Sequence, residues 1–296
     1  MSERPTVRPV TLSRLVETTF IAGDGPARTA DVKERLEVTT RRARETILEA
    51  GRIGLITETE DDEGEQRYTA TSVGESFVAA IEHEDWTGVD KILRTHSPHY
   101  RTFLEVVEKC GPVLPGKTLE KLDERSACTE YDYNETSLDV VGDWAQRLGV
   151  IQRDAFTGSF YIVTQNSVPE TFPDLLMTVA DEMEETAGVD LRQQYLSIPE
   201  LREEMCKRFR CTRSAVDAAL TELAEQNVGR LELSGAPMDT GAKDARYGIK
   251  SVSYDDTDGI VTTEQSSEQV MRGVELFGKK YYYLAVYDSD LTFDTQ

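Results

Sequence analysis

One short pattern recurs three times along this chain and limits the folds that the chain can adopt. In each copy, a stretch with helical spacing of apolar residues ends in a hydrophobic-Gly-x-hydrophobic segment that leads into a strand. The three segments are Ile53-Gly54-Leu55-Ile56, Leu148-Gly149-Val150-Ile151 and Val228-Gly229-Arg230-Leu231. Repeated units of this kind indicate consecutive modules of one architecture. The sequence therefore predicts a mainly α fold with small β-hairpins (α+β).

The first copy has the clearest helix signals. Apolar residues at helical spacing predict a first helix over 12–21, which the glycines and proline at 23–26 end. Thr29 is placed to cap a second helix from about Ala30 to Leu36, because a threonine hydroxyl accepts a hydrogen bond from the first turn. Thr39 or Thr40 is placed to cap a third helix in the same way.

A β-hairpin follows these three helices. It consists of a strand over Ile53–Thr57, an acidic turn over Glu60–Glu65 and a return strand over Gln66–Ala70. Three helices followed by a hairpin resemble a winged helix-turn-helix. The run from Arg67 to Phe77 resembles the Y-x-L-T-x-x-G passage that leads from the wing into a C-terminal helix in many small transcriptional regulators. The resemblance covers about residues 10–84 and implies a third helix that enters the major groove of DNA.

The recurrence predicts tandem winged-helix modules along the rest of the chain. The expected division is a winged-helix module over 1–84, a winged-helix-like module over 85–168, and a winged-helix-like module over 169–296 that ends in a C-terminal β-hairpin tail. In the third module, 234–246 is expected to form an exposed loop, with Tyr247–Tyr254 as the return strand. The tail hairpin is expected over Gly273–Phe277 and Tyr281–Tyr287.

The net charge of −22 limits which parts of the chain could bind a polyanion such as DNA. It has three interpretations: disorder, a cationic partner, or a protein of halophilic-archaeal character that carries surface carboxylates in a salty cytoplasm. Helical periodicity argues against disorder, and the even spread of acids favours the salt-adapted interpretation. Residues 1–56 depart from the average, because ten basic and eight acidic residues give them a net charge of +2.

Most of that local charge belongs to the third predicted helix. Arg41, Arg42 and Arg44 occupy its start, where arginine can bind phosphate or guanine O6 and N7. Thr39, Thr40 and Arg52 complete the candidate DNA-binding residues of the first module. The alternative is a solvated helix face on which Glu45 and Glu49 pair with the arginines.

A second basic segment lies in the third module. Residues 205–214 carry four cations and no acid. The candidate DNA contacts of this segment are Lys207, Arg208, Arg210, Thr212 and Arg213. The alternative is a basic turn that pairs with acids elsewhere in the chain.

Acidic segments argue against DNA contact in two places. Glu135, Asp139 and Asp143 lie on the presumed third helix of the middle module and would repel phosphates. We expect that helix to support a homodimer or to meet a protein partner. The acidic wing of the first module, over Glu58–Glu65, is also expected to stay away from the DNA backbone.

The sequence predicts no catalytic residue, no metal and no cofactor. It has three histidines, His83, His96 and His99, and no phosphate-binding loop, nucleophile elbow or metalloprotease motif. The four cysteines lack zinc or redox spacing and are interpreted as small hydrophobes. No signal peptide or bilayer-length apolar run is present, so a cytoplasmic protein without membrane contact is expected. A tyrosine triplet over 281–283 is a weak candidate for stacking on single strands, since alternation places part of it in the core.

The sequence therefore predicts one leading function and one alternative. The first is a transcriptional regulator or other DNA-associated factor that binds double-stranded DNA through the third helix of the first module. The alternative is a non-enzymatic adaptor subunit whose winged helices bind proteins, as in archaeal transcription, chromosome-segregation and membrane-remodelling complexes.

Overall fold

The computed structural model describes residues 5–127, 129–187, 195–235, 245–255 and 259–294. Its helices are α1 (Leu12–Gly23), α2 (Thr29–Arg35), α3 (Thr40–Ile53), α4 (Ser72–Glu82), α5 (Trp86–His96), α6 (Pro98–Cys110), α7 (Pro115–Ser126), α8 (Glu135–Arg147), α9 (Phe172–Ala187), α10 (Ile198–Phe209), α11 (Arg213–Gln226) and α12 (Ser267–Val270). Its strands are β1 (Ile56–Glu60), β2 (Gln66–Ala70), β3 (Ile151–Arg153), β4 (Phe160–Ile162), β5 (Leu196–Ser197), β6 (Leu231–Ser234), β7 (Lys250–Asp255), β8 (Gly259–Glu264), β9 (Val274–Leu276), β10 (Lys279–Tyr281) and β11 (Tyr283–Val286).

Long helices and short antiparallel strands confirm the predicted α+β class. The chain separates into two compact units, of which the first comprises Met1–Ile151 and Lys250–Thr263. The second comprises Gln152–Ile249 and Glu264–Gln296. The division into three modules stays a prediction.

In the first unit, α1, α2 and α3 precede the antiparallel hairpin β1–β2, in the order expected of a winged helix. Ala27, which lies between α1 and α2, forms an antiparallel bridge with Tyr68 of β2. Two expectations were wrong by a few residues. The N-cap of α2 is Arg28 rather than Thr29, with the Asp31 carboxylate accepting from the Arg28 N–H at 2.7 Å. Strand β1 begins at Ile56, because α3 continues through Ile53.

The recurrent glycine has the same backbone conformation in all three copies. Gly54, Gly149 and Gly229 follow the ends of α3, α8 and α11, and their φ angles are 79°, 72° and 85°. This left-handed conformation ends a helix and is costly for a residue with a Cβ. Gly54 is the C-cap of α3, whereas the C-caps of α8 and α11 are Leu148 and Asn227. The three glycines therefore share a position two residues before the strand, not one at the helix end.

The starts of the same three helices are also alike. The side chains of Thr39, Asn134 and Thr212 accept hydrogen bonds from backbone N–H groups in the first turns of α3, α8 and α11. Each capped N–H would otherwise have no partner within its helix. This confirms Thr39 as the cap of the third helix and places Thr40 as its first residue.

The second unit contains a three-stranded sheet that corrects the predicted hairpins. Strand β11 lies between β5 and β6, and Leu284 of β11 pairs with both Leu196 and Leu233. The strand that returns to β6 is therefore β11, and β7 pairs with β8 instead. The predicted tail hairpin is also shorter, because Val274–Leu276 pairs with Lys279–Tyr281. Most of the predicted loop over 234–246 lies outside the described residues.

Helix α8 is covered within the first unit. The Lys250 ammonium lies 2.8 Å from Asp143, and the Arg147 guanidinium donates to the Ser251 carbonyl at 3.3 Å. These two contacts hold β7 against α8. On another side of α8, the indole N–H of Trp144 donates to the Val10 carbonyl at 2.9 Å. Trp144 is fully buried. The third helix of the middle copy is therefore mostly interior.

Replacing the glycine at the end of α3 tests its role in the fold. Gly54→Ala is expected to lower the free energy of unfolding by about 1–2 kcal/mol, because alanine is strained in the left-handed conformation. Gly51→Ala is the matched control in the same helix, where an added Cβ meets its nearest atom at an unstrained 3.9 Å. That control is expected to be neutral or stabilising by up to about 1 kcal/mol. Chemical denaturation measures both changes, and a stability loss at Gly51 equal to that at Gly54 would contradict the assignment.

Candidate nucleic-acid interface

Helix α3 presents two chemically different faces. Ala43, Ile47, Ala50 and Ile53 are buried against α1 and α2 and hold the helix in place. The Thr39 hydroxyl accepts from the Arg42 N–H at 3.3 Å, which fixes where the helix begins. The opposite face of the first turns is exposed to solvent.

Three arginines occupy that exposed face. The Arg41 side chain is 87% exposed and the Arg42 side chain 48% exposed, and Arg44 is exposed as well. One carboxylate, Glu45, accepts from Arg41 Nε and from Arg42 Nη1, each at 3.2 Å. Arg44 has no ion pair within the described residues. The first turns of α3 thus hold three cations and one carboxylate that two of them share.

The helix itself adds to this positive potential. The free N–H groups of a helix N-terminus are equivalent to roughly half a positive charge, which disfavours cations there. Arg41, Arg42 and Arg44 occupy this unfavourable place without a full set of carboxylate partners. The arrangement is one that an external anion would stabilise.

The wing beside α3 is acidic but partly neutralised. Arg67 lies 2.8 Å from Asp61, and Arg28 lies 3.1 Å from Glu65. Hydrogen bonds from the Glu65 backbone and from the Arg67 side chain lower the pKa of Asp61, so this carboxylate stays ionised. Asp62 and Glu63 at the tip remain exposed.

Arg52, at the far end of α3, differs from the three arginines at its start. Its guanidinium donates to the fully buried Glu49 and, at 3.4 Å, to the Thr6 carbonyl. Glu49 also accepts from the Arg8 backbone N–H at 3.2 Å. The structure therefore separates Arg52 from the cluster of Arg41, Arg42 and Arg44.

The basic segment of the second unit meets acids from distant parts of the sequence. The Lys207 ammonium lies 2.8 Å from Asp154 and also pairs with Glu204. Burial opposes ionisation of Asp154, yet the hydrogen bond from Lys207 holds the pKa of this carboxyl below its ordinary value. Arg208 pairs with Glu182. The contacts match the alternative in which this segment pairs internally.

The remaining candidates of that segment have structural positions. Arg213 is buried, and its Nη2 donates to Glu203 at 2.7 Å and to the Arg153 carbonyl at 2.8 Å. Arg210 has a φ of 54° at the end of α10, and Thr212 caps α11. DNA contact by these residues stays a prediction, with far less accessible charge than the start of α3 offers.

One histidine and two cysteines of the described residues are buried. His99 is buried, its Nε2 lies 2.8 Å from the Pro5 carbonyl, and burial lowers the pKa of His99 to about 4. Cys206 and Cys211 are fully buried thiols. No three His, Cys, Asp or Glu side chains gather as metal ligands among the described residues. Nor does any helix there have the length and apolarity to cross a bilayer.

Comparison with known proteins adds little to this picture. No protein-family model matches the chain, and no curated protein matches it. Among solved structures, the crystal structure of T. acidophilum IdeR is similar at 12% sequence identity, over 94% of this chain and 99% of that chain. The TM-score is 0.19. At that value the likeness carries no argument about fold or function.

Two arginine variants test whether the second basic segment is interior. Arg213→Ala is expected to lower the free energy of unfolding by about 3–5 kcal/mol, because it leaves the buried Glu203 carboxylate without its cation. Arg208→Ala removes a surface pair and is expected to cost less than about 1 kcal/mol. Urea denaturation of both variants measures the difference. Similar small losses would show that Arg213 is not buried in an ion pair.

Proposed function

We propose that this chain is a non-catalytic, double-stranded DNA-binding protein, a transcriptional regulator or other DNA-associated factor. The proposed contact surface, here named the α3 arginine turn, comprises Thr39, Thr40, Arg41, Arg42 and Arg44. The observation that carries the proposal is the exposed arginine trio on a capped helix start that has one shared carboxylate. Arg52 is left out, because its charge is already paired with Glu49.

The chemistry of this turn suits a polyanion. A guanidinium can bind a phosphate or the O6 and N7 atoms of guanine through two parallel hydrogen bonds. The pairs of Arg41 and Arg42 with Glu45 are exposed helix pairs of about 0.2–0.5 kcal/mol each, so a phosphate can replace them at little cost. The Thr39 hydroxyl accepts within the cap and still has its own hydrogen to donate to a phosphate.

The surrounding acidity limits how this surface works. Phosphate contacts weaken steeply with salt, and a cytoplasm of high ionic strength would reduce them further. Base contacts and DNA shape would then supply more of the affinity than is usual. The exposed acids at the wing tip, Asp62 and Glu63, would keep the wing away from the DNA backbone.

A second function, that of an adaptor, has its own support. The third helix of the middle copy is covered by β7, and the basic segment of the second unit is paired with Asp154, Glu182 and Glu203. Neither presents free cations to DNA. These parts of the chain are therefore poor candidates for DNA contact, which the adaptor function does not require.

Charge removal at the α3 arginine turn tests the DNA proposal. The triple variant Arg41→Gln, Arg42→Gln and Arg44→Gln is expected to weaken binding to duplex DNA at least about tenfold. The slope of log K against log[KCl] is expected to fall by about 2–3, because each lost phosphate contact contributes about 0.9. Fluorescence anisotropy over a KCl series measures both quantities.

The control removes three charges elsewhere. Arg125, Arg230 and Arg272 lie on other elements and pair with surface carboxylates, and replacing them with glutamine changes the net charge equally. This control is expected to keep the wild-type slope and affinity. If the two triple variants bind DNA alike, the α3 arginine turn is not the contact surface. Retention of a protein partner in a pull-down would then favour the adaptor.

A further inference from the structure

The second unit exposes an apolar groove beside the end of α11. Its cavity is about 510 Å³ and is lined by apolar side chains that include Leu231, Leu233 and Leu276. Two side chains at this groove are almost fully exposed, Val228 at 84% and Phe277 at 83%. No other large hydrophobic side chain of the described residues is exposed above 51%. An apolar patch of this kind on a highly charged chain marks an interaction surface.

The backbone holds Phe277 outward. Leu276 pairs with Lys279 across the β9–β10 hairpin, so Phe277 and Gly278 form its two-residue turn. Their φ angles are 50° and 73°, a conformation that favours asparagine or glycine. A phenylalanine is unfavourable in the left-handed region, and an exposed ring recovers none of that cost by burial. The position is explained if the ring is buried in a complex.

Charges of opposite sign flank the groove. Lys279 lies opposite Leu276 in the hairpin and, by strand alternation, on the same face as Tyr281; both of these neighbours line the groove. Glu225 also lines the groove and is exposed. Neither Lys279 nor Glu225 has an ion pair within the described residues. The surface around this groove thus carries the projecting Phe277 ring, the apolar hollow, and two charged groups without ion pairs in the described part of the chain, Lys279 and Glu225.

We infer that this groove binds a second copy of the same chain. A two-fold interface requires one patch that is complementary to itself, and this patch holds both halves of the match. Phe277 of each protomer would enter the hollow of its partner, and Lys279 of each would face Glu225 of the other. A partner of different sequence would have to supply its own hollow, cation and carboxylate, whereas a second copy of this chain carries all three. The inference is independent of DNA binding.

Removal of the apolar anchors tests the inference first. Sedimentation equilibrium of the full chain over a concentration series is expected to show a monomer–dimer equilibrium. The variant Phe277→Ser with Val228→Ser is expected to raise the dimer dissociation constant roughly a hundredfold, since each anchor is lost twice per dimer. Leu114→Ser, at another exposed apolar position, is the control and is expected to dimerise normally.

A charge exchange makes the test specific for this interface. Lys279→Glu and Glu225→Lys are each expected to weaken the homodimer, because like charges then face each other. A mixture of the two variants is expected to recover a heterodimer at wild-type affinity, as native mass spectrometry would show. Circular dichroism checks that each variant keeps the wild-type fold.

Three outcomes would overturn the inference. They are a wild-type chain that stays monomeric, a dimer that survives loss of both anchors, and a mixture of the charge variants that fails to recover the heterodimer. A wild-type chain that stays monomeric and captures a different protein through Phe277 would also exclude a second copy as the occupant. None of these outcomes bears on the α3 arginine turn.

Discussion

The excess of carboxylates over cations is the constraint on which the surface of this protein depends. Fifty-five acidic residues compete for thirty-three basic ones, so a cation that lies within reach of a carboxylate is usually paired with it. Arg213 with Glu203, Lys207 with Asp154 and Lys250 with Asp143 show this in three parts of the chain. Among the described residues, exposed cations without an ion pair also occur elsewhere, as at Lys91, Lys109 and Lys279, but the start of α3 places three arginines around a single carboxylate.

Local rules of the chain allowed much of the fold to be predicted. The cap at Thr39 follows from residue type and helix periodicity. The recurrent glycine predicted where each third helix turns into a strand, and its left-handed conformation at Gly54 and Gly229 supplies the physical reason. One boundary was wrong because a neighbouring residue takes the same role, as Arg28 does in place of Thr29, and another because α3 continues through Ile53.

Contacts between distant residues could not be predicted in this way. Residues 205–214 contain no acid, but Asp154 and Glu182 approach them from other elements. Strand β11 follows β6 by about fifty residues, and only the folded chain shows that the two are paired. The Phe277-Gly278 turn did leave a signal, since glycine after an apolar run is typical of a hairpin, but exposure of the ring is a tertiary property.

Site-specific photo-crosslinking to duplex DNA tests the central claim most directly. Benzoylphenylalanine is introduced in place of Arg44, Asp139 or Arg208. These positions lie in the first, middle and last copies of the repeated pattern, respectively, so crosslinking at each shows whether that copy contacts DNA. The account predicts strong crosslinking from position 44 and background levels from positions 139 and 208. Crosslinking from position 139 or 208 without any from position 44 would contradict it.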